Sequence, residues 1–299
     1  MKIQSNKYHL FIPKIKILPL IILGIVLYGC LISVNSTTRL LGFSNDSMNY
    51  VDVARNISSG KGIVQSTLGF NQPYLFQKDS LIPSPFTSQP PLYPILISMF
   101  ALPGFPHASV ALVIPVMAYG FILVFAYFLS RDLYNHPTGI ITVDFLLLYA
   151  PLMLIIRMAW SESLSIMLFL ISLWLLVRRK KNPNNHIRIV VSFGSGIAAG
   201  LAFSTRYSMI PILVVGIIYF TIELFRDPNN FFTLGVDFIS YIIGFSIPAG
   251  LVLGHNLLVS NQLLPDALPS DLDFWTNLLF TTKAVFGNYY SNRGGLSSH

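Results

Sequence analysis

Charge is scarce in this chain. Asp, Glu, Lys and Arg make up only 10% of its 299 residues, where a soluble globular domain carries about 25%. Much of the surface must therefore face something other than water, which excludes an ordinary soluble domain. Cysteine is almost absent. Cys30 stands alone in an apolar run, so no internal disulfide can form and the redox compartment is left open. Six histidines, His9, His107, His136, His186, His255 and His299, are scattered without the spacing of metal ligands. There is no Gly-rich phosphate loop and no Gly-x-Ser-x-Gly element. A net charge of +7 is modest for the length. No basic stripe is interleaved with exposed aromatics, which argues against nucleic acid.

Apolar residues, in contrast, reach 53% and gather in long runs. The first, Ile17 to Val34, follows Lys2, Lys7, Lys14 and Lys16. Leu27-Tyr28-Gly29-Cys30 has the outline of a lipoprotein cleavage box, but Tyr28 is bulky for that site and the run continues past Cys30. An uncleaved anchor is the better reading. A polar stretch, Asn35 to Pro90, comes next, and then Pro91 to Leu102, which is apolar. It is shorter than the ~20 residues a spanning helix needs, so it is expected along the membrane interface.

Six further runs follow: Val110 to Leu129, Ile140 to Ile156, Leu164 to Val177, Ile189 to Phe203, Ser208 to Leu224 and Val236 to Val259. Two of them are short and reach across only with their flanks or in a thinned bilayer. Gly194, Gly196 and Gly200 recur at spacings that let helices approach closely. The fold expected is an all-α membrane protein of about seven transmembrane helices, with a long first extracytoplasmic loop carrying interfacial helices. Residues 1–259 form the membrane module, with that loop at 35–109, and 260–299 form a polar, extracytoplasmic tail.

Basic residues favour the cytoplasmic side of a membrane. Seven spans with a cytoplasmic N-terminus place 11 of the Lys and Arg residues inside and 8 outside, although the outer loops are far longer. The cluster from Arg178 to Lys181 is the strongest single vote. The site of any chemistry in residues 35–109 is then extracytoplasmic.

The most informative segment is Asp46-Ser47-Met48-Asn49-Tyr50-Val51-Asp52-Val53-Ala54-Arg55-Asn56-Ile57-Ser58-Ser59-Gly60-Lys61-Gly62. Tyr50, Val53, Ala54 and Ile57 repeat at the spacing of one helical face. Ser44 or Asn45 can cap the start, and Gly60 can end the helix. Asp46 then sits in the first turn, where its charge suits the helix dipole whatever else it does. Three more stretches stand out: Gln89-Pro90-Pro91-Leu92-Tyr93-Pro94, Trp160-Ser161-Glu162-Ser163-Leu164, and Gly196 to Leu201 followed by Thr205-Arg206-Tyr207. The sequons beginning at Asn35, Asn45 and Asn56 are the chance product of a Ser/Asn-rich loop.

These four stretches, in this order, resemble the conserved half of the C-type glycosyltransferases, the superfamily of protein O-mannosyltransferases and bacterial lipid A aminoarabinose transferases. The resemblance rests on Asp46, Tyr50, Ala54, Ile57, Gly60, Gly62, the Pro90-Pro91-Leu92 element, Glu162 and Arg206, and runs from about Met1 to Val259. Two departures stand out. Members usually carry Asp-Glu where this chain has Asp46-Ser47, and some carry Lys where it has Gln89. The resemblance implies a hexosyl- or pentosyltransferase with a lipid-linked donor, inverting at the anomeric carbon. Members usually continue with further spans, so the chain is expected to be a fragment, a truncated gene or a minimal enzyme.

A sugar on polyprenyl phosphate already has a good leaving group, so the reaction needs a carboxylate to take or orient the acceptor proton. Asp46 is the candidate. Cations must hold the phosphate as its charge grows, and Arg206 and Arg157, both at outer span ends, are the candidates. Glu162 is expected to orient the acceptor or bind a metal. No general acid is strictly needed, no cofactor is assigned, and a divalent metal stays open. Tyr50, Gly60, Gly62, Pro90 and Pro91 are expected to shape the loop. The partners expected are the polyprenyl-phosphate sugar and a glycan, lipid or protein acceptor. The rival is a non-catalytic polyprenyl-lipid-binding protein, a transporter or an inactive fragment. A transporter should hold charges within the membrane, and the acids inside the apolar runs, Asp144, Glu223 and Asp237, all lie near their cytoplasmic ends.

Overall fold

The computed structural model describes residues 44–66, 83–102 and 105–264. The first apolar run, Ile17 to Val34, and the tail beyond residue 264 lie outside the described residues. The chain within them is helical, as expected of an all-α membrane protein. Helix α1 (Asn45–Ser58) is followed by a short antiparallel pair, β1 (Val64–Gln65) with β2 (Ser84–Pro85). Then come α2 (Leu92–Phe100), α3 (His107–Leu133), α4 (His136–Leu148), α5 (Ala150–Arg157), α6 (Glu162–Lys180), α7 (Asn185–Thr205), α8 (Pro211–Arg226) and α9 (Phe231–Ser260).

Among the described residues four helices are long and apolar enough to cross a membrane: α3, α7, α8 with its preceding turn, and α9 with its preceding turn. The bent pair α4 and α5 makes a fifth if it is counted as one span. The run Ile140 to Ile156 is thus not one straight helix. It bends by 63° between α4 and α5, at a break next to Pro151. Pro151 lacks the N–H that would bond the Leu147 carbonyl of a continuous helix, and its ring crowds that carbonyl, so the helix breaks at Tyr149, which is extended. Pro115 and Pro248, by contrast, lie inside α3 and α9. Bundled membrane helices tolerate such residues because neighbours and side chains satisfy the freed carbonyls.

The two short runs lengthen through their polar flanks. α6 has 19 residues and α7 has 21, lengths of about 28 and 31 Å at the α-helical rise. α6 is apolar along its middle and bounded by Glu162 at one end and Arg178, Arg179 and Lys180 at the other. The helices pack in a row, with α6 between α3 and α7, and α9 against α7. Glycine makes the α7–α9 contact close. A side chain at Gly196 would collide with the backbone of Tyr241, and one at Gly244 with the backbone of Phe193. In lipid, such close approach supplies the van der Waals contact that replaces a hydrophobic drive between helices.

Charges sort to two ends of this row. One end holds Arg131, Asp132, Arg178, Arg179, Lys180, Lys181, Arg188, Glu223 and Asp237, joined by ion pairs. The other end holds α1, the start of α6 and the end of α7, joined through Trp160, Tyr50, Glu162 and Arg206. Arg179 is fully buried, paired with Asp237 at 2.8 Å and Glu223 at 2.8 Å, and lies over the Phe220 ring. Two of the three acids inside the apolar runs are therefore neutralised by basic partners, and the third, Asp144, is exposed.

Candidate functional site

Helix α1 forms where its sequence favours it. Ser44 is in extended conformation and its hydroxyl accepts from the Ser47 N–H, satisfying a free donor of the first turn. Asp46 stands in that turn, half-buried. Among the described residues its carboxylate has no hydrogen bond and no ion pair. The predicted apolar face is real. Tyr50, Val53 and Ala54 are buried, and Ile57 packs against the same cluster. The helix ends at Ser59, and Gly60 continues with φ +77, the left-handed conformation that glycine adopts without a side-chain clash. Gly62 repeats it with φ +87. The turn is tied back by Asn56, whose amide donates to the Val64 carbonyl at 2.9 Å and to the Ser66 hydroxyl at 2.8 Å. Asn56 is buried, so its sequon is inaccessible in the folded chain. Asp52 accepts from the Ser66 N–H at 2.7 Å and closes the same turn.

Three aromatic rings hold the loop to the bundle. Tyr50 meets Tyr93 edge-on at 4.9 Å and Phe86 at 6.4 Å. Tyr93 is buried and donates to the Ala111 carbonyl at 2.6 Å, which anchors α2 to α3. Pro90 and Pro91 are buried, and Pro91 opens α2. This position suits proline, since the first turn of a helix has no partner for its N–H. Beside them the Gln89 side-chain oxygen is buried without a hydrogen-bond partner among the described residues.

The segment before α6 reaches across to α1. Trp160 donates its indole N–H to the Ser44 hydroxyl at 2.6 Å, and the Tyr50 hydroxyl shares a hydrogen bond with Ser161 at 2.9 Å. Both contacts hold the N-terminal half of α1, where Asp46 lies. Next in sequence, Glu162 Oε1 pairs with Arg206 Nη1 at 2.5 Å. Both side chains keep partial exposure, and Glu162 Oε2 is buried without a hydrogen-bond partner among the described residues. Arg206 is extended at the break between α7 and the turn before α8, which turns its side chain away from the helix ladder.

Tyr50 reports the field of this cluster. Burial holds its phenol well above the ordinary tyrosine range. The Ser161 hydrogen bond and the Arg206 charge oppose that rise, while the Asp46 and Glu162 carboxylates add to it. Tyr93 is pushed up for the same main reason, with Tyr50 and Glu162 adding. The structure joins Glu162 and Arg206 directly, and it places Asp46 in the first turn of the helix that the neighbouring Trp160 and Ser161 hold. The fourth charged residue singled out in the sequence, Arg157, is exposed at the end of α5 and makes no ion pair among the described residues. No three His, Cys, Asp or Glu side chains gather into a metal-binding group among the described residues. The structure therefore identifies no ligand set for a divalent ion at Glu162.

Some contributors left no readable signal. The Asn256 amide, buried near the end of α9, donates to the Tyr207 hydroxyl at 2.7 Å, and Tyr207 donates to the Thr87 carbonyl at 3.2 Å. This chain of bonds ties α9 to the loop that carries Gln89 and to the residue beside Arg206. Neither curated proteins nor solved structures match the chain. The family model of the dolichyl-phosphate-mannose-protein mannosyltransferases matches residues 88–243, from the buried Pro90-Pro91 turn through Glu162 and Arg206 into α9. That is more than half of the chain, which therefore belongs to the dolichyl-phosphate-mannose-protein mannosyltransferase family.

Proposed function

We propose that the protein moves a sugar from a polyprenyl-phosphate donor to an extracytoplasmic hydroxyl acceptor, with inversion at the anomeric carbon. Membership of a membrane glycosyltransferase family supports the reaction class. The observation that carries the assignment of roles is the Glu162–Arg206 ion pair next to the Trp160–Ser44 and Tyr50–Ser161 bonds, which hold the half of α1 whose first turn carries Asp46.

The Asp46 carboxylate takes the acceptor proton as the acceptor oxygen attacks the anomeric carbon. The bond from that carbon to the phosphate oxygen breaks, and the phosphate leaves with its electrons. Arg206 holds it, because a planar guanidinium can contact two phosphate oxygens at once. Glu162 positions Arg206 through their ion pair, and Arg157 adds a second cation near the outer surface. Attack from the face opposite the phosphate inverts the centre.

In this reading the first run, Ile17 to Val34, and α6 complete seven spans. The N-terminus is cytoplasmic, the loop 35–109 is extracytoplasmic, and 260–299 continues outside. Clustering of the basic residues at the end away from Asp46 supports that orientation. The transporter reading loses support, because Glu223 and Asp237 are held in ion pairs with Arg179, Lys180 and Arg188. The test is binding of polyprenyl phosphate by purified protein. Arg206→Ala should weaken it at equal folded yield, and unchanged binding would remove Arg206 from the site.

A further inference from the structure

The end of the row away from Asp46 carries a second built feature. Asp132, at the end of α3, has a side chain only 8% exposed and is faced by three cations. Arg131 lies 3.1 Å from it, Arg178 3.0 Å and Lys181 3.5 Å. Trp174 donates its indole N–H to the same carboxylate at 3.1 Å, and Lys181 also donates to the Asp132 carbonyl at 2.8 Å. Arg131 lies over the Phe128 ring at 4.9 Å, and Arg178 over Trp174 at 5.3 Å. One carboxylate against three cations leaves a surplus of two positive charges. All three cations keep exposed area, with 32%, 43% and 47% of their side chains open. Basic residues at a membrane surface are usually free to move. Here the carboxylate, the indole and the rings hold them in place, so an anion that binds finds them already ordered.

An aromatic strip leads from this cluster along the surface of α3 and α6. Phe128 stacks with Trp174 at 5.7 Å, Trp174 meets Phe125 at 5.4 Å, and Phe125 stacks with Phe121 at 6.4 Å. Phe121 is exposed at 47% in the middle of α3, a helix long and apolar enough to cross a membrane. The fixed cations and the apolar strip match the two parts of a phospholipid.

We propose that this α3–α6 surface is a binding site for an anionic phospholipid. The phosphate sits on Arg131, Arg178 and Lys181, and an acyl chain lies along Phe121, Phe125 and Trp174. Charge complementarity selects an anionic headgroup over a zwitterionic one, since each basic residue near such a surface adds to the attraction. The site is separate from the proposed transfer site, and its occupancy does not depend on catalysis.

The test uses the full chain in mixed micelles holding phosphatidylglycerol and phosphatidylcholine in equal amounts, with bound lipid read by native mass spectrometry. The wild type should retain phosphatidylglycerol preferentially. The double variant Arg131→Gln/Lys181→Gln keeps the Arg178–Asp132 pair and should bind it about 30-fold more weakly. If the double variant does not fold, Lys181→Gln alone should give about a fivefold loss. Phe121→Ala should weaken both lipids alike, and Lys61→Gln, on the α1 side, should change neither. Phosphatidylglycerol affinity unchanged in the folded cluster variants would overturn the proposal. So would equal retention of the two lipids by the wild type, or displacement of the phospholipid by inorganic phosphate alone.

Discussion

The indole of Trp160 donates to the hydroxyl of Ser44 at 2.6 Å, and that hydroxyl caps the helix whose first turn carries Asp46. The segment leading into Glu162 thus fixes the start of α1. Asp46 and Glu162 are far apart in sequence and belong to one rigid arrangement.

The same arrangement makes Tyr50 sensitive to strong alkali. Its folded-state pKa is raised by burial, so the neutral phenol is kept while an unfolded chain ionises its tyrosines from about pH 10 upward. The sign follows: stability is intact below that value and falls as pH rises through it, because only the unfolded state releases the proton. Tyr50→Phe should lose about 1 kcal/mol at neutral pH, the Ser161 hydrogen bond being gone. It should also lose less than the wild type between pH 9 and about 11.5. Parallel stability curves for the two proteins in detergent would contradict the burial of this hydroxyl.

Gly196 tests the packing of the row. A Cβ there meets the Tyr241 backbone, which cannot rotate away as a side chain would. Gly196→Ala should therefore destabilise the folded protein by about 1–3 kcal/mol, the usual range for an overpacked contact. Gly250, whose Cβ would meet nothing, is the control and should tolerate Ala. Equal thermal midpoints for the two variants would mean that α7 and α9 are not this close.

Orientation is tested by labelling. In a Cys30→Ser background, a cysteine at Lys61 should react with an impermeant thiol reagent in intact cells and one at Lys180 should not. Both residues are exposed in the structure. Labelling at 180 without labelling at 61 would invert the orientation.

How much of this was legible in the sequence depends on range. The α1 face could be read from Tyr50, Val53, Ala54 and Ile57, and its ends from Ser44 and Gly60, because helical periodicity and caps are local. The helix after Pro90-Pro91 was legible as an apolar segment too short to span. The break at Tyr149 had a local signal in Pro151, which an otherwise continuous apolar run masked. The Glu162–Arg206 pair, the Trp160–Ser44 bond and the Asn256–Tyr207–Thr87 chain were not legible as contacts, since each joins elements that only the packing of α6, α7 and α9 brings together. Arg157 shows the limit from the other side. It ends α5, yet that position alone did not bring it into contact with Glu162 or Arg206.

The central claim is that Asp46 is the base, and the most direct measurement is sugar transfer by Asp46→Asn. Asn is nearly isosteric, and the cap of α1 is made by Ser44, so the fold should survive the change. Asp52→Asn is the comparison, because an amide oxygen can still accept from the Ser66 N–H. Membranes from cells lacking the gene would be supplied with each variant and a labelled polyprenyl-phosphate sugar. Transfer should fall by about 100- to 10,000-fold in Asp46→Asn and stay near wild type in Asp52→Asn. Full activity in Asp46→Asn, at equal folded protein, would contradict the account.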